Sequence, residues 1–208
     1  MSLSDQEKLR YSRHLNLPDF GIAAQEKLKH AKVLVVGSGG LGAPLLQYLT
    51  AVGVGTIGVI DFDIVDESNL QRQVLFSIED LGKSKTAVAI SKLQTQNPFV
   101  HFIEHNLKLD TANALEIIGN YDVVADGTDN FPTRYLVNDA CVLMGKPNVY
   151  ASIYRFEGQV SVFNWRDKEG VLGPNYRDVF PTPPPPGMVP NCAEGGVLGV
   201  LPGIIGSI

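Results

Sequence analysis

The stretch "VLVVGSGGLGAPLLQYLTAVGVGTIGVIDFD" runs from Val33 to Asp63. Val33–Val36 is an unbroken apolar run, the pattern of a strand buried on both faces. Glycines follow at Gly37, Gly39 and Gly42, in the spacing G-x-G-x-x-G, and Leu41, Leu45, Leu46 and Leu49 draw a helical stripe behind them. Gly53 and Gly55 stop that helix. Thr56–Ile60 reads as a second strand and ends on acids. Strand, glycine turn, helix and strand outline a nucleotide pocket. The glycines let backbone approach a phosphate, and the helix N-terminus favours its charge. Asp61 lies about 20 residues past the turn, where a carboxylate meets ribose hydroxyls. Up to this point NAD and ATP are served equally.

On the N-terminal side, residues 4–14 read as a short helix with Ser4 as cap and Glu7 three residues on, and residues 20–30 as a second. On the C-terminal side, residues 84–96 are helical, closed by Asn97-Pro98. "FVHFIEHN" alternates as a strand, "TANALEIIG" is a helix, and "YDVVADGTD" is a strand with an acidic tip. Pro132 opens the next helix. "NVYASIY" and "GQVSVFNW" are two further strands joined by a turn containing Gly158. This alternation predicts an α/β fold: a Rossmann-like, doubly wound, mostly parallel sheet with helices on both faces. Antiparallel strands are expected toward the C-terminal half. Residues 166–193 are proline-rich and read as a long loop, either a functional crossover or a linker. "GGVLGVLPGIIGSI" starts a glycine-rich helix that stops without a cap, which implies a longer natural protein.

Composition narrows the class. The chain has 208 residues, 44% hydrophobic and 19% charged, with a formal charge of -5. That is a globular composition, and the acidic balance speaks against a nucleic-acid partner. Basic residues cluster only locally, at Arg10–Arg13 and Lys83–Lys85. Two cysteines, Cys141 and Cys192, make no disulfide framework and fit a reducing compartment. The polar start is no signal peptide, and no apolar run is long enough to span a bilayer. The expectation is a cytoplasmic protein.

The residues after Asp61 separate the two nucleotides. "SNLQRQ" (Ser68–Gln73) places Asn69, Arg72 and Gln73 beside the glycine turn, and Lys85 opens the next helix. A triphosphate needs cations on its outer phosphates, whereas the pyrophosphate of NAD is handled largely by the helix end. "DGTDN" (Asp126–Asn130) closes a strand at the carboxyl edge of the sheet, where Asp129 faces the crevice and could hold magnesium. Blander readings also stand: Arg72–Asp66 and Lys85–Glu79 as surface ion pairs, and Asp126 as a cap for the following helix.

Taken together, "RYSRHL", "GSGGLG", "DFDIVDESNLQRQ", "GKSK", "DGTDN" and "EGQVSVF" resemble the MoeB/ThiF family of adenylyltransferases, bacterial relatives of ubiquitin-activating enzymes. The resemblance implies one ThiF-type ATP-binding domain over residues 1–208. It divides into N-terminal helices (1–30), nucleotide-binding core (31–165), crossover loop (166–195) and the start of a helix (196–208). It implies adenylation of the C-terminal glycine of a ubiquitin-like sulfur carrier ending in Gly-Gly, with release of pyrophosphate, for molybdenum-cofactor, thiamine or related biosynthesis. Gly39 and Gly40 would carry the phosphate turn and Asp61 the ribose. Asn69, Arg72 and Lys85 would meet the phosphates, and Asp129 magnesium. Gly37, Gly42, Asp63, Ser68, Leu70, Gln71, Gln73 and Asn130 complete the implied nucleotide site. Arg13 resembles the arginine that the family inserts into its partner subunit's site, which implies a homodimer. Cys192 stands either as a small core residue or as a thiol that attacks the acyl adenylate or takes part in sulfur transfer. Many relatives hold zinc on two C-x-x-C pairs. Here the first pair reads Asn175-Tyr176-Arg177-Asp178, so no zinc is expected. Three rivals remain: an NAD(P)-dependent oxidoreductase, a non-catalytic partner subunit, and an enzyme that adenylates a small molecule or a tRNA-linked carboxylate.

Overall fold

The computed structural model describes residues 2–185, 188 and 195–208, so Cys192 lies outside the described residues. Helix α1 (Asp5–Arg10) is capped as its sequence predicts. The Ser4 hydroxyl accepts from the Glu7 N–H at 3.2 Å, and the Ser4 N–H donates to Glu7 Oε2 at 2.8 Å. Ser4→Ala is expected to cost about 1 kcal/mol of stability, measured by denaturant unfolding. The expected helix over residues 4–14 breaks at Tyr11, and α2 (Ser12–Leu15) follows it. Tyr11 turns inward, where its hydroxyl accepts from Asn97 Nδ2 at 2.9 Å. It fills the space beside Gly53, whose added Cβ would lie 2.3 Å from the Tyr11 oxygen. Gly53 also takes φ +82° to end the later helix, a conformation that glycine adopts without strain.

After α3 (Gly21–His30) the β1–α4–β2 unit forms as expected, with β1 at Lys32–Val36, α4 at Gly42–Val52 and β2 at Thr56–Ile60. There follow α5 (Lys85–Gln96), β3 (His101–His105), α6 (Ala114–Gly119), β4 (Val123–Asp126), α7 (Phe131–Met144), β5 (Asn148–Tyr154), β6 (Glu157–Phe163), α8 (Tyr176–Val179) and α9 (Leu201–Ser207). The sheet order is β3-β2-β1-β4-β5-β6. All pairings are parallel except β5 with β6. One buried cluster, including Val35, Leu46, Ile57 and Leu93, joins the sheet to α4 and α5. A second, including Leu34, Ile118, Val124 and Val137, joins the opposite face to α6 and α7. Side chains of adjacent strand residues point to opposite faces, so Leu34 and Val35 serve different layers. This is why β1 is apolar from Val33 to Val36.

Three local expectations are corrected. The turn between β5 and β6 is Arg155–Phe156, with Arg155 at φ +51°. Gly158 lies inside β6, because Ile205 of α9 packs where its side chain would be, 2.4 Å from an added Cβ. The described part of the expected loop, residues 166–185, carries local structure: Arg166 and Leu172 form an antiparallel bridge, and Asn175 caps α8. The Asn175-Tyr176-Arg177-Asp178 stretch instead makes a capping box, Asn175 with Asp178, and buries Tyr176 among Tyr135, Tyr150 and Phe163. The glycine-rich tail forms α9, which lies against α4, with Gly206 fitting over the Leu41 carbonyl.

Cys141 is buried in the second cluster. Burial pushes its thiol up to about 12, so it stays protonated and unreactive at neutral pH. Native alkylation is expected to spare Cys141 and to label it only in denaturant, as mapped by peptide mass spectrometry.

Candidate active site

The strand order reverses between β1 and β4, and at their carboxyl ends the sheet opens a crevice. β1 is followed by Gly37 and β4 by Gly127. Gly37 takes φ +90°, and a Cβ there would meet the Gly127 carbonyl oxygen at 3.0 Å. The Gly37 N–H donates to the Ile60 carbonyl at 2.8 Å and the Gly127 N–H to Val36 at 2.9 Å, so both turns leave the sheet at fixed points. A cavity of about 410 Å³ lies over them. Gly37, Gly39, Gly40, Asp61, Asp63, Arg72, Gln73, Lys85, Asp129 and Asn130 all line it. Residues spread over more than ninety positions of the sequence therefore meet in one place.

Gly39 and Gly40 precede α4, whose first N–H groups make a natural anion site. Gly42 lies behind the turn, with its Cα against the Gly37 carbonyl. Asp61 staples turn to strand: its Oδ2 accepts from both the N–H and the hydroxyl of Ser38 at 2.8 Å, and its Oδ1 accepts from the Asp63 N–H at 3.0 Å. Lys85 is the first residue of α5 and only 4% exposed. Its Nζ pairs with Asp63 Oδ2 at 2.9 Å, not with Glu79. Arg72 does not pair with Asp66. Its Nη1 donates to the Ser68 carbonyl at 3.2 Å, while Asp66 caps the turn at Ser68.

Several expected residues support the cavity without lining it. Asn69 Oδ1 accepts from Gln73 Nε2 at 2.9 Å, Ser68 holds Arg72, and Leu70 packs on the core. Gln71 meets the α9 side of the fold near Gly199. Arg13 is exposed on α2 and does not line the cavity. Asp126 is not a helix cap. Its buried carboxylate accepts from the Thr128 N–H at 3.0 Å and hydroxyl at 2.5 Å, and α7 is capped instead by Asn130, whose Oδ1 accepts from the Thr133 N–H at 2.9 Å. Burial pushes the Asp126 carboxyl up, against the pull of Arg134 and of the Thr128 hydrogen bonds.

Sequence reasoning missed part of the lining. Phe62, Leu107–Leu109, Arg134 and Ser152–Tyr154 also line the cavity. Phe62 carried a signal, lying between Asp61 and Asp63. The others reach the cavity only through the strand order.

The fold and cavity define an α/β protein of the Rossmann kind, with Arg72, Lys85 and Asp129 lining one cavity beside the glycine turn. Residues 11–208 match the ThiF family, and the chain belongs to it. It is 58% identical to the probable adenylyltransferase/sulfurtransferase MoeZ of Mycobacterium tuberculosis, over all of this chain and 53% of that protein. It therefore spans about half the length of that relative. It is 54% identical to the sulfur carrier protein adenylyltransferase of Thermus thermophilus, over all of this chain and 77% of that one. Among solved structures, E. coli MccB with ATP superposes with a TM-score of 0.65 at 33% identity, over 73% of this chain and 46% of that chain. Among the described residues no helix is long and apolar enough to cross a membrane.

Proposed function

We propose that this chain is the adenylating unit of a sulfur-carrier adenylyltransferase, with residues 1–208 acting as one domain in the cytoplasm. It would join the C-terminal glycine carboxylate of a ubiquitin-like carrier to the α-phosphate of ATP and release pyrophosphate. The observation that carries this reading is Lys85: a buried ammonium in the same cavity as the glycine turn, Arg72 and Asp129. A nicotinamide dinucleotide leaves that cation without a task.

The attacking carboxylate is already a nucleophile, so the residues need only position and neutralise. The base would lie between Phe62 and Leu107–Leu109, with Asp61 turned to the ribose. The phosphates would run over Gly39 and Gly40 to Arg72 and Lys85, as Asp63 exchanges its pairing with Lys85 for one with solvent. A divalent cation fits the donor set. Asp129 lines the cavity with no hydrogen bond among the described residues, and Mg²⁺ takes one or two carboxylates with phosphate oxygens and water. When bound, it would neutralise the phosphates. Asp129→Ala is expected to abolish adenylation and leave part of the ATP binding.

Arg13 is exposed and away from its own cavity, which supports action in trans within a homodimer. A variant lacking Arg13 is then expected to regain activity when mixed with one lacking only Arg72; no rescue would count against a shared site. Cys192 remains proposed for the step after adenylation. Pyrophosphate–ATP exchange with magnesium, run with and without carriers ending in Gly-Gly, tests the whole reading. Exchange that appears with one carrier supports it and names the pathway. ATP binding without exchange with any carrier would favour a non-catalytic partner, and repeating the assay on a longer chain would decide it.

A further inference from the structure

Arg134 is a buried cation to which the reading above gives no task. It lies in the first turns of α7 and is 5% exposed. Its guanidinium sits 5.5 Å from the centroid of the Phe131 ring and 5.0 Å from that of Tyr150. Nη2 donates to the Thr128 carbonyl at 3.1 Å, and among the described residues Nε is buried without a hydrogen-bond partner. Packing alone does not call for a charge here, and the buried Asp126 carboxyl feels the pull of Arg134 without a hydrogen bond between them among the described residues.

Thr128 is gripped from its other side as well. Asp126 Oδ1 accepts from its N–H and its hydroxyl. A buried carboxyl group therefore holds the amide of Thr128, and a cation holds its carbonyl. The next residue is Asp129, exposed and facing the cavity. The one after it, Asn130, is fixed as the cap of α7. Asp129 is thus strung between two anchored neighbours, and among the described residues its own side chain makes no hydrogen bond or ion pair.

We propose that Arg134 is a positioning residue that acts through the Thr128 carbonyl to hold the Asp129 carboxylate where a divalent cation on the nucleotide phosphates meets it. The inference rests on Asp129 as the cation's ligand. Partners of a metal-binding carboxylate typically change metal affinity by about 10–100-fold when removed. Charge and fork geometry both matter, so Arg134→Lys is not a conservative change at this site.

The test measures ATP binding to the full chain by calorimetry, once in excess Mg²⁺ and once in excess EDTA, for Arg134→Gln, Arg134→Lys and Asp129→Ala. The expected result is a loss of about tenfold or more in Mg²⁺ and none in EDTA for both Arg134 variants. Combining Arg134→Lys with Asp129→Ala is expected to add nothing to Asp129→Ala alone, because both act on one contact. Equal losses in Mg²⁺ and EDTA, losses that add, or unfolding of both Arg134 variants would make Arg134 structural and overturn the proposal. If Asp129→Ala itself keeps the full gain from Mg²⁺, the reading of Asp129 has failed. If Asp129→Ala loses that gain and Arg134→Lys keeps it, only the inference about Arg134 has failed.

Discussion

Lys85→Ala is expected to lower carrier-dependent pyrophosphate exchange by about 10²–10³-fold, the loss typical of removing one positioned group that stabilises developing charge. The ammonium is held at the mouth of α5 by Ser84, which caps that helix, and by its 2.9 Å pairing with Asp63. It has little contact with water, so its attraction for a phosphate is less screened than that of a surface lysine. The fold is expected to survive. The side chain of Asp63 is 51% exposed, so its carboxylate can rehydrate once the partner is gone. Circular dichroism and thermal unfolding of the variant check the second point, and exchange kinetics the first. Exchange near the wild-type rate, in a folded variant, would remove Lys85 from the reaction.

Gly42→Ala is expected to abolish nucleotide binding and to destabilise the chain by about 1–3 kcal/mol, the usual cost of forcing extra atoms into a packed interior. The added Cβ would lie 1.9 Å from the Gly37 carbonyl oxygen and 2.9 Å from its carbon. Both are backbone atoms, so no side chain can swing away. Gly37 is itself held at φ +90° against Gly127, and a shift there would pass into the turn that carries Asp129. The expected signature is a joint loss of ATP affinity, by calorimetry, and of melting temperature. Gly40→Ala offers a graded comparison. Its Cβ would meet the ring of Pro202 at 3.0 Å and the flexible Arg72 stem at 3.5 Å, with no backbone among its three nearest atoms, so a smaller loss is expected. Equal tolerance of both substitutions would mean that the turn is not rigid.

The β1–α4–β2 unit was legible because its signals are local: an apolar run, glycines at fixed spacing and a leucine stripe. The pocket cations were legible for a related reason, since strand ends in such a sheet converge on one crevice. What escaped was set by contacts between distant residues. Tyr11 breaks the N-terminal helix because Asn97 and Gly53 receive it. Gly158 looks like a turn residue, yet it lies in a strand because Ile205 needs the room. Asp126 reads as a cap for α7, and the geometry of the turn gave the helix to Asn130 and the turn to Asp126. Arg134 reads as an ordinary helix residue until β5 brings Tyr150 beneath it. Leu107–Leu109 and Tyr154 face the cavity only because β3 and β5 flank the central strands.

The central claim is that a carrier carboxylate is activated at this site. The most direct measurement is the intact mass of a Gly-Gly-ended carrier after incubation with this protein, ATP and Mg²⁺. The expected result is a carrier heavier by one AMP moiety. That species should be absent when ATP is withheld and when Asp129→Ala replaces the wild type. An unmodified carrier across the whole panel, together with NAD(H) bound more tightly than ATP, would contradict the account and return the glycine turn and Asp61 to a dinucleotide.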